Sequence, residues 1–251
     1  MLSKAKIKYL QSLQQKKYRL KEKVFLVEGE KIIDEVLRQK LFNVHSIYAT
    51  ETWINQNTSL LTSHEACLTV TPLNGLKKIS SLKTPNSVIA VLEMPNYTSL
   101  VDKIQTSLNL VLENIQDPGN MGTIIRIADW FGIPHIFCSK GCVDVYNPKV
   151  IQASMGGFLR IQVHYVDLEA LFQEHPKLPV YGAVLGGKNA FKQNLNKPSF
   201  LLIGNEGKGL TDSIQKQITH KITIPKMGGA ESLNAGVATG ILCALFSSTS
   251  S

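Results

Sequence analysis

From residue 108 to the end, short apolar runs alternate with stretches of helical periodicity, and no other feature constrains the fold as strongly. The runs at 108–112, 135–138, 161–164, 180–184, 199–203 and 221–224 read as strands, and 121–131 and 233–246 read as helices. Parallel strands need crossover connections, usually helical, so such a chain builds an α/β fold with a mostly parallel sheet and helices on both faces. Ligands of these sheets sit at the carboxyl ends of the strands. The loops that leave the strands are therefore where chemistry is expected.

The preceding 93 residues read as a smaller α/β unit. Strands are expected at 25–27, 44–49, 67–70 and 88–92, and Ile32, Ile33, Val36 and Leu37 mark a helix over 31–39. Turn formers from Met94 to Ser99 place a linker at 94–106, between domains at 1–93 and 107–251. The net charge of +8 is concentrated at the start. Residues 1–23 hold Lys4, Lys6, Lys8, Lys16, Lys17, Arg19, Lys21 and Lys23 against Glu22, and the other 228 residues carry +1. A cationic arm of this density suits a polyanion such as RNA, through counterion release. A solvated helix face is the competing reading.

Several classes drop out. The cysteines Cys67, Cys138, Cys142 and Cys243 are scattered, and the C-x₃-C pair lacks the second pair or histidine that zinc needs, so buried or partly buried thiols and no metal are expected. The opening segment has no apolar core of a signal peptide. The apolar run 233–246 is shorter than the roughly 20 residues of a membrane span. A cytoplasmic protein is the default.

Three strand-exit loops carry polar groups in a telling order. In the first, Asp117, Pro118, Gly119 and Asn120 form a turn, with Asn120 expected to cap the following helix. Arg126 follows among Ile124, Ile125 and Ile127, a setting that asks for an anionic partner. The chain has four arginines against 23 lysines, and a guanidinium suits forked capture of phosphate or carboxylate. The second loop sets Glu206 among Gly204, Gly207 and Gly209, which allows close backbone approach to a ligand and leaves the carboxylate to accept from a cofactor, a hydroxyl or Arg126. The third runs from Ile224 to Ser232, Leu233 and Asn234, with Ser232 expected to cap the last helix and Asn234 in its first turn.

Together these segments resemble the three motifs of the SpoU (TrmH-like) RNA 2′-O-ribose methyltransferases of the SPOUT superfamily. Asn120 and Arg126 match the first motif, Glu206 the second, and Ser232, Leu233 and Asn234 the third. The resemblance implies a C-terminal trefoil knot, although knots are otherwise almost absent from folds. It implies S-adenosylmethionine contacted by Gly204, Ile224 and Leu233, and catalytic roles for Asn120, Arg126, Glu206, Ser232 and Asn234. It also implies an active site shared across a homodimer, for which the Gly236/Gly240 spacing offers a close-packing surface. Gln152 departs from the arginine common in relatives. The first domain, through Phe25 to Gly29 and Thr84 to Asn86, is similar to the ribosomal-protein-like RNA-binding domain that precedes many members.

Under this reading the methyl acceptor is a ribose 2′-hydroxyl, in rRNA more than in tRNA. The family's proposals make Arg126 a base. A guanidinium with a pKa above about 12 suits a phosphate anchor and alkoxide stabiliser better. Two rivals stay open: a non-catalytic RNA-binding protein, and an NTPase suggested by the near-P-loop at 182–189, which has Asn189 where Ser or Thr would hold magnesium.

Overall fold

The computed structural model describes residues 2–96 and 104–248. In chain order the first elements are α1 (Lys4–Ser12), α2 (Lys16–Glu22), β1 (Val24–Glu28), α3 (Glu30–Gln39), β2 (Val44–Ala49), α4 (Glu51–Gln56), α5 (Thr58–Leu61), β3 (Leu68–Val70), α6 (Leu73–Ile79) and β4 (Val88–Glu93). There follow β5 (Leu108–Leu112), α7 (Pro118–Trp130), β6 (His135–Cys138), α8 (Pro148–Ser154), β7 (Gln162–Tyr165), α9 (Leu168–Glu174), β8 (Val180–Asn189), β9 (Ser199–Ile203), α10 (Asp212–Gln215), β10 (His220–Thr223) and α11 (Ala235–Ser248). The chain divides into two compact units. The expected linker at 94–106 lies partly outside the described residues.

The first unit holds a four-stranded sheet in the order β1-β4-β2-β3. Strands β1 and β2 run antiparallel to β4, and β3 runs parallel to β2. Apolar on both faces, β4 takes a central place and buries Val88 to Leu92. The basic segment is not a loose arm. Leu10 and Leu13 are fully buried against Val24, Leu26, Leu76 and Ile79, so α1 is part of the core. Arg19 is 1% exposed and donates to the Leu13 and Gln14 carbonyls at 2.9 and 2.8 Å, so this cation is structural. Tyr146–Leu159, expected within the second domain, groups with this unit. Phe25 stacks on Tyr146 at 4.3 Å and meets Phe158 edge-on at 6.0 Å, which gives the grouping its packing.

The second unit is built on a six-stranded sheet in the order β10-β8-β9-β5-β6-β7, with every pairing parallel. Strands β5 and β9 bury every residue, so both faces at the centre are covered. Strand β8 runs past its expected end at Val184, because its pairing with β10 skips from Gly182 to Lys188 through a bulge. A Cβ on Gly187 would lie 2.7 Å from the Ile222 backbone, so the bulge closes only with glycine there. Residues 182–189 are therefore strand rather than a phosphate-cradling loop before a helix, which removes the NTPase reading. On β6 and β7, His135 Nδ1 and His164 Nε2 lie 3.2 Å apart and buried. Burial first, and then the facing His135, push His164 down to about 4. No described helix is long and apolar enough to cross a membrane.

Candidate active site

The first loop leaves β5 and enters α7. Asp117, not Asn120, caps this helix: its Oδ1 accepts from the Asn120 amide at 2.8 Å, with Pro118 in the first helical position. Asn120 sits one turn further in than expected, and its side chain is released from capping to face the other loops. Its Nδ2 donates to Glu206 Oε1, and its Oδ1 accepts from Asn234 Nδ2 at 2.6 Å. Asn234 Oδ1 in turn accepts from the Val237 amide at 3.2 Å. The expected order at the third loop therefore changes. Asn234 caps α11, and Ser232 is exposed in the loop before it. An asparagine whose oxygen is fixed by capping has its amide left to donate, and that fixes the Asn120 side chain as well.

Arg126 lies elsewhere. On α7, Met121, Ile124, Ile125 and Ala128 are buried, while Thr123, Arg126 and Trp130 are exposed on the outer face. The apolar neighbours of Arg126 in sequence are not its neighbours in space, because each residue turns about 100° around a helix. Among the described residues Arg126 has no hydrogen bond or ion pair. The other three arginines are engaged: Arg19 in the core, Arg38 with Asp34 at 2.8 Å, and Arg160 with both oxygens of Asp129 at 2.8 and 2.7 Å. Glu206 accepts from Asn120 instead of Arg126.

The second and third loops enclose a cavity of about 600 Å³ with Gly204, Glu206, Ile224, Ser232 and Leu233 on its wall. Its other walls are largely apolar, including Leu185, Leu210 and Leu242, and Met227 lies at its mouth, 97% exposed. The glycines of the second loop serve the loop itself before any ligand. A Cβ on Gly204 would lie 2.8 Å from the Gly209 backbone, and Gly209 has φ +68°. Among the described residues, 225–233 make no backbone hydrogen bond to one another or to a neighbour, so their amides and carbonyls are open to a ligand. Gly236 and Gly240 do not face outward as a pairing surface. Added Cβ atoms would meet Thr123 at 2.8 Å and Ile127 at 3.5 Å, so these glycines let α11 close on α7 within the chain.

The cysteines are buried or partly buried, as expected. Cys138, Cys142 and Cys243 are buried and Cys67 is half-buried. A hydrogen bond from Cys138 draws the Cys142 thiol down to about 7 against the effect of burial. No cluster among the described residues has the ligands for a metal ion. Reasoning from sequence missed Glu113, Asn114 and Asn205. Glu113 is buried and accepts from Thr211 N and Oγ1 at 2.9 and 2.7 Å, and Asn205 Nδ2 donates to the Asn114 carbonyl at 3.0 Å. A carboxylate at the end of an otherwise apolar strand was the signal available for Glu113.

The SpoU rRNA Methylase family model matches residues 107–244, and the model of an MRM3-like substrate binding domain matches residues 4–90. The 23S rRNA (guanosine(2553)-2′-O)-methyltransferase RlmP of Bacillus subtilis is 30% identical over 241 residues, which cover 94% of each chain. A putative RNA methyltransferase of the TrmH family from Porphyromonas gingivalis superposes with a TM-score of 0.87 at 37% identity over 98% of both chains. An AdoMet-bound rRNA methyltransferase from Sinorhizobium meliloti gives 0.87 at 25% identity over 98% of this chain and 96% of that one. The likeness spans both units and the stretch that holds all three loops, and the chain belongs to the SpoU rRNA methylase family.

Proposed function

We propose that this protein transfers a methyl group from S-adenosylmethionine to a ribose 2′-hydroxyl of RNA, with ribosomal RNA as the substrate class. The observation that carries the reading is the hydrogen-bonded chain Glu206–Asn120–Asn234, which ties three loops distant in sequence together beside a ligand-sized cavity. A decayed or purely RNA-binding relative would have no need to keep it. Ribosomal RNA is favoured because RlmP, a relative matched along nearly the whole chain, is named for it.

The cavity fits the donor. Its apolar walls suit an adenosine, the unpaired backbone groups of 225–233 suit polar edges, and Glu206 supplies negative charge near a sulfonium. Gly204, Ile224 and Leu233 would hold it, with Ser232 supporting the loop. When bound, S-adenosylmethionine supplies a methyl carbon already activated for displacement. The residues of the chain then have to align and stabilise. Asn120, fixed by Glu206 and Asn234, orients the ribose so that its 2′-oxygen meets the methyl group in line. Arg126, uncommitted and exposed, anchors an RNA phosphate and lowers the energy of the developing 2′-oxyanion.

Within one chain Arg126 has no bond to this cluster, which favours a homodimer in which Arg126 serves the partner's cavity. The exposed Trp130 (84%) and Val237 (50%) on the same helix pair supply apolar surface for it. The trefoil knot is carried by the family resemblance, and the chain returns from the edge strand β10 to lay α11 on α7. The first unit would grip RNA through phosphates. Lys4, Lys8 and Gln11 share one exposed stripe of α1, and Gln11 Nε2 donates to the Lys78 carbonyl at 2.7 Å, bringing Lys77 and Lys78 of α6 alongside. The likeness to a bacterial rRNA methyltransferase along nearly the whole chain favours a cytoplasmic setting.

The test incubates the protein with labelled S-adenosylmethionine and separated RNA pools, including partly assembled ribosomal particles. Nuclease digestion and mass spectrometry then locate the label. A 2′-O-methylnucleoside in rRNA is expected. Label confined to tRNA would move the substrate, and label in no RNA would end the proposal.

A further inference from the structure

Glu206 stands on an exposed, glycine-rich loop, yet its carboxylate must keep one direction to hold Asn120. The loop is fastened at both ends to adjacent residues at the exit of β5. At the leading end Asn205 Nδ2 donates to the Asn114 carbonyl at 3.0 Å, while Asn205 Oδ1 accepts from the Gly207 and Lys208 amides, each at 3.0 Å. The side chain of Asn205 thus spans Glu206, and the Gly209 amide closes the turn on the Asn205 carbonyl at 2.8 Å. At the trailing end Thr211 is held through two bonds by the buried carboxylate of Glu113. The anchor is itself fixed: Asn114 has φ +56°, and its amide donates to Ser139 Oγ at 3.0 Å. A Cβ on Gly141 would strike Asn114 Oδ1 at 2.0 Å, so glycine is needed there to leave that anchor room.

We propose that Asn205 is a positioning residue for methyl transfer, aiming Glu206 at Asn120, with Glu113 as the second fastening of the same loop. This rests on the RNA methyltransferase reading for its chemistry, but not for its geometry. Asn205 touches neither the reacting atoms nor the Asn120 side chain and acts only through Glu206. Losing the turn displaces a carboxylate whose partner is fixed elsewhere, and a misplacement of about 1 Å costs on the order of 100-fold in rate.

The experiment measures steady-state methylation of in-vitro-transcribed 23S rRNA with tritiated S-adenosylmethionine, together with thermal unfolding, for Asn205→Ala, Asn205→Ser, Glu206→Ala and the Asn205→Ala/Glu206→Ala pair. Asn205→Ala is expected to lower kcat on the order of 100-fold with little change in KM for the donor. Asn205→Ser, whose hydroxyl still accepts from Gly207, should recover part of the loss. Added to Glu206→Ala, which leaves no oxygen to aim, Asn205→Ala should cost nothing further. Losses that multiply in the pair, or full kcat in Asn205→Ala, would overturn the proposal. If the wild type labels no RNA, the function fails instead, and the geometry is decided by unfolding alone. Non-additive shifts in Tm for the pair would support the aiming role, and additive shifts would sink it.

Discussion

The two units of the chain present polar groups in opposite ways. In the second, Asn120, Glu206 and Asn234 are short side chains whose directions are fixed by one another and by a helix cap. In the first, Lys4 and Lys8 are long, exposed side chains on one helix, with only the count and the face specified. Under the proposed function the arrangement in the second unit serves chemistry, where angles matter, and that in the first serves attraction of a polyanion, where charge matters and angles matter little.

The comparison breaks most easily at Arg126. Arg126→Ala should lower methyl transfer by about 10²–10³ while leaving donor affinity, read by calorimetry, nearly unchanged. Equal losses in rate and donor binding would place Arg126 in the cofactor cavity and blur the contrast. Next in size is a pH effect on the core of the second unit. The ring of His164 stays neutral in the folded chain because its pKa lies near 4, below the ordinary 6.5. Its contribution is complete above pH 6.5 and is lost as pH falls toward 4, by at most about 3 kcal/mol. Urea unfolding at pH 7 and pH 4.5 should show the drop, and His164→Phe should flatten it.

In the first unit, Arg19→Ala should destabilise by about 2 kcal/mol, since one buried and one part-buried carbonyl lose a charged donor. Its effect on the salt dependence of RNA binding should be negligible. Lys8→Ala should do the reverse, with unchanged Tm and a slope of log K against log salt that is smaller by about 0.7–0.9. If Arg19 and Lys8 behaved alike, the division between structural and binding cations would fall.

Most of the architecture was legible because it follows from local pattern. Strands β2, β5, β6 and β9 lie where their apolar runs place them, since a buried parallel strand is apolar on both faces. The site was legible in membership but not in wiring. Asn120, Glu206 and Asn234 were named and do meet, but the cap of α7 proved to be Asp117 and the cap of α11 Asn234. Sequence offers several residues able to cap, and only the register of the helix chooses among them. Arg126 was read as embedded because linear neighbours were taken for spatial ones. The glycines of α11 were read as a surface between chains, yet they bring two helices of one chain together. Asn205 and Glu113 went unseen because their partners, Asn114 and Thr211, are far away in sequence or are backbone groups.

Asp129 stands three residues beyond Arg126, a spacing at which an acid and a base on one helix ordinarily neutralise each other. Arg160 occupies both oxygens of that acid from outside the helix. Local electroneutrality is thereby satisfied without Arg126, whose guanidinium keeps a standing charge that no counter-ion of its own helix cancels. Under the proposed function an approaching RNA brings the missing negative charge with it, and α7 is left electrically incomplete until that RNA arrives.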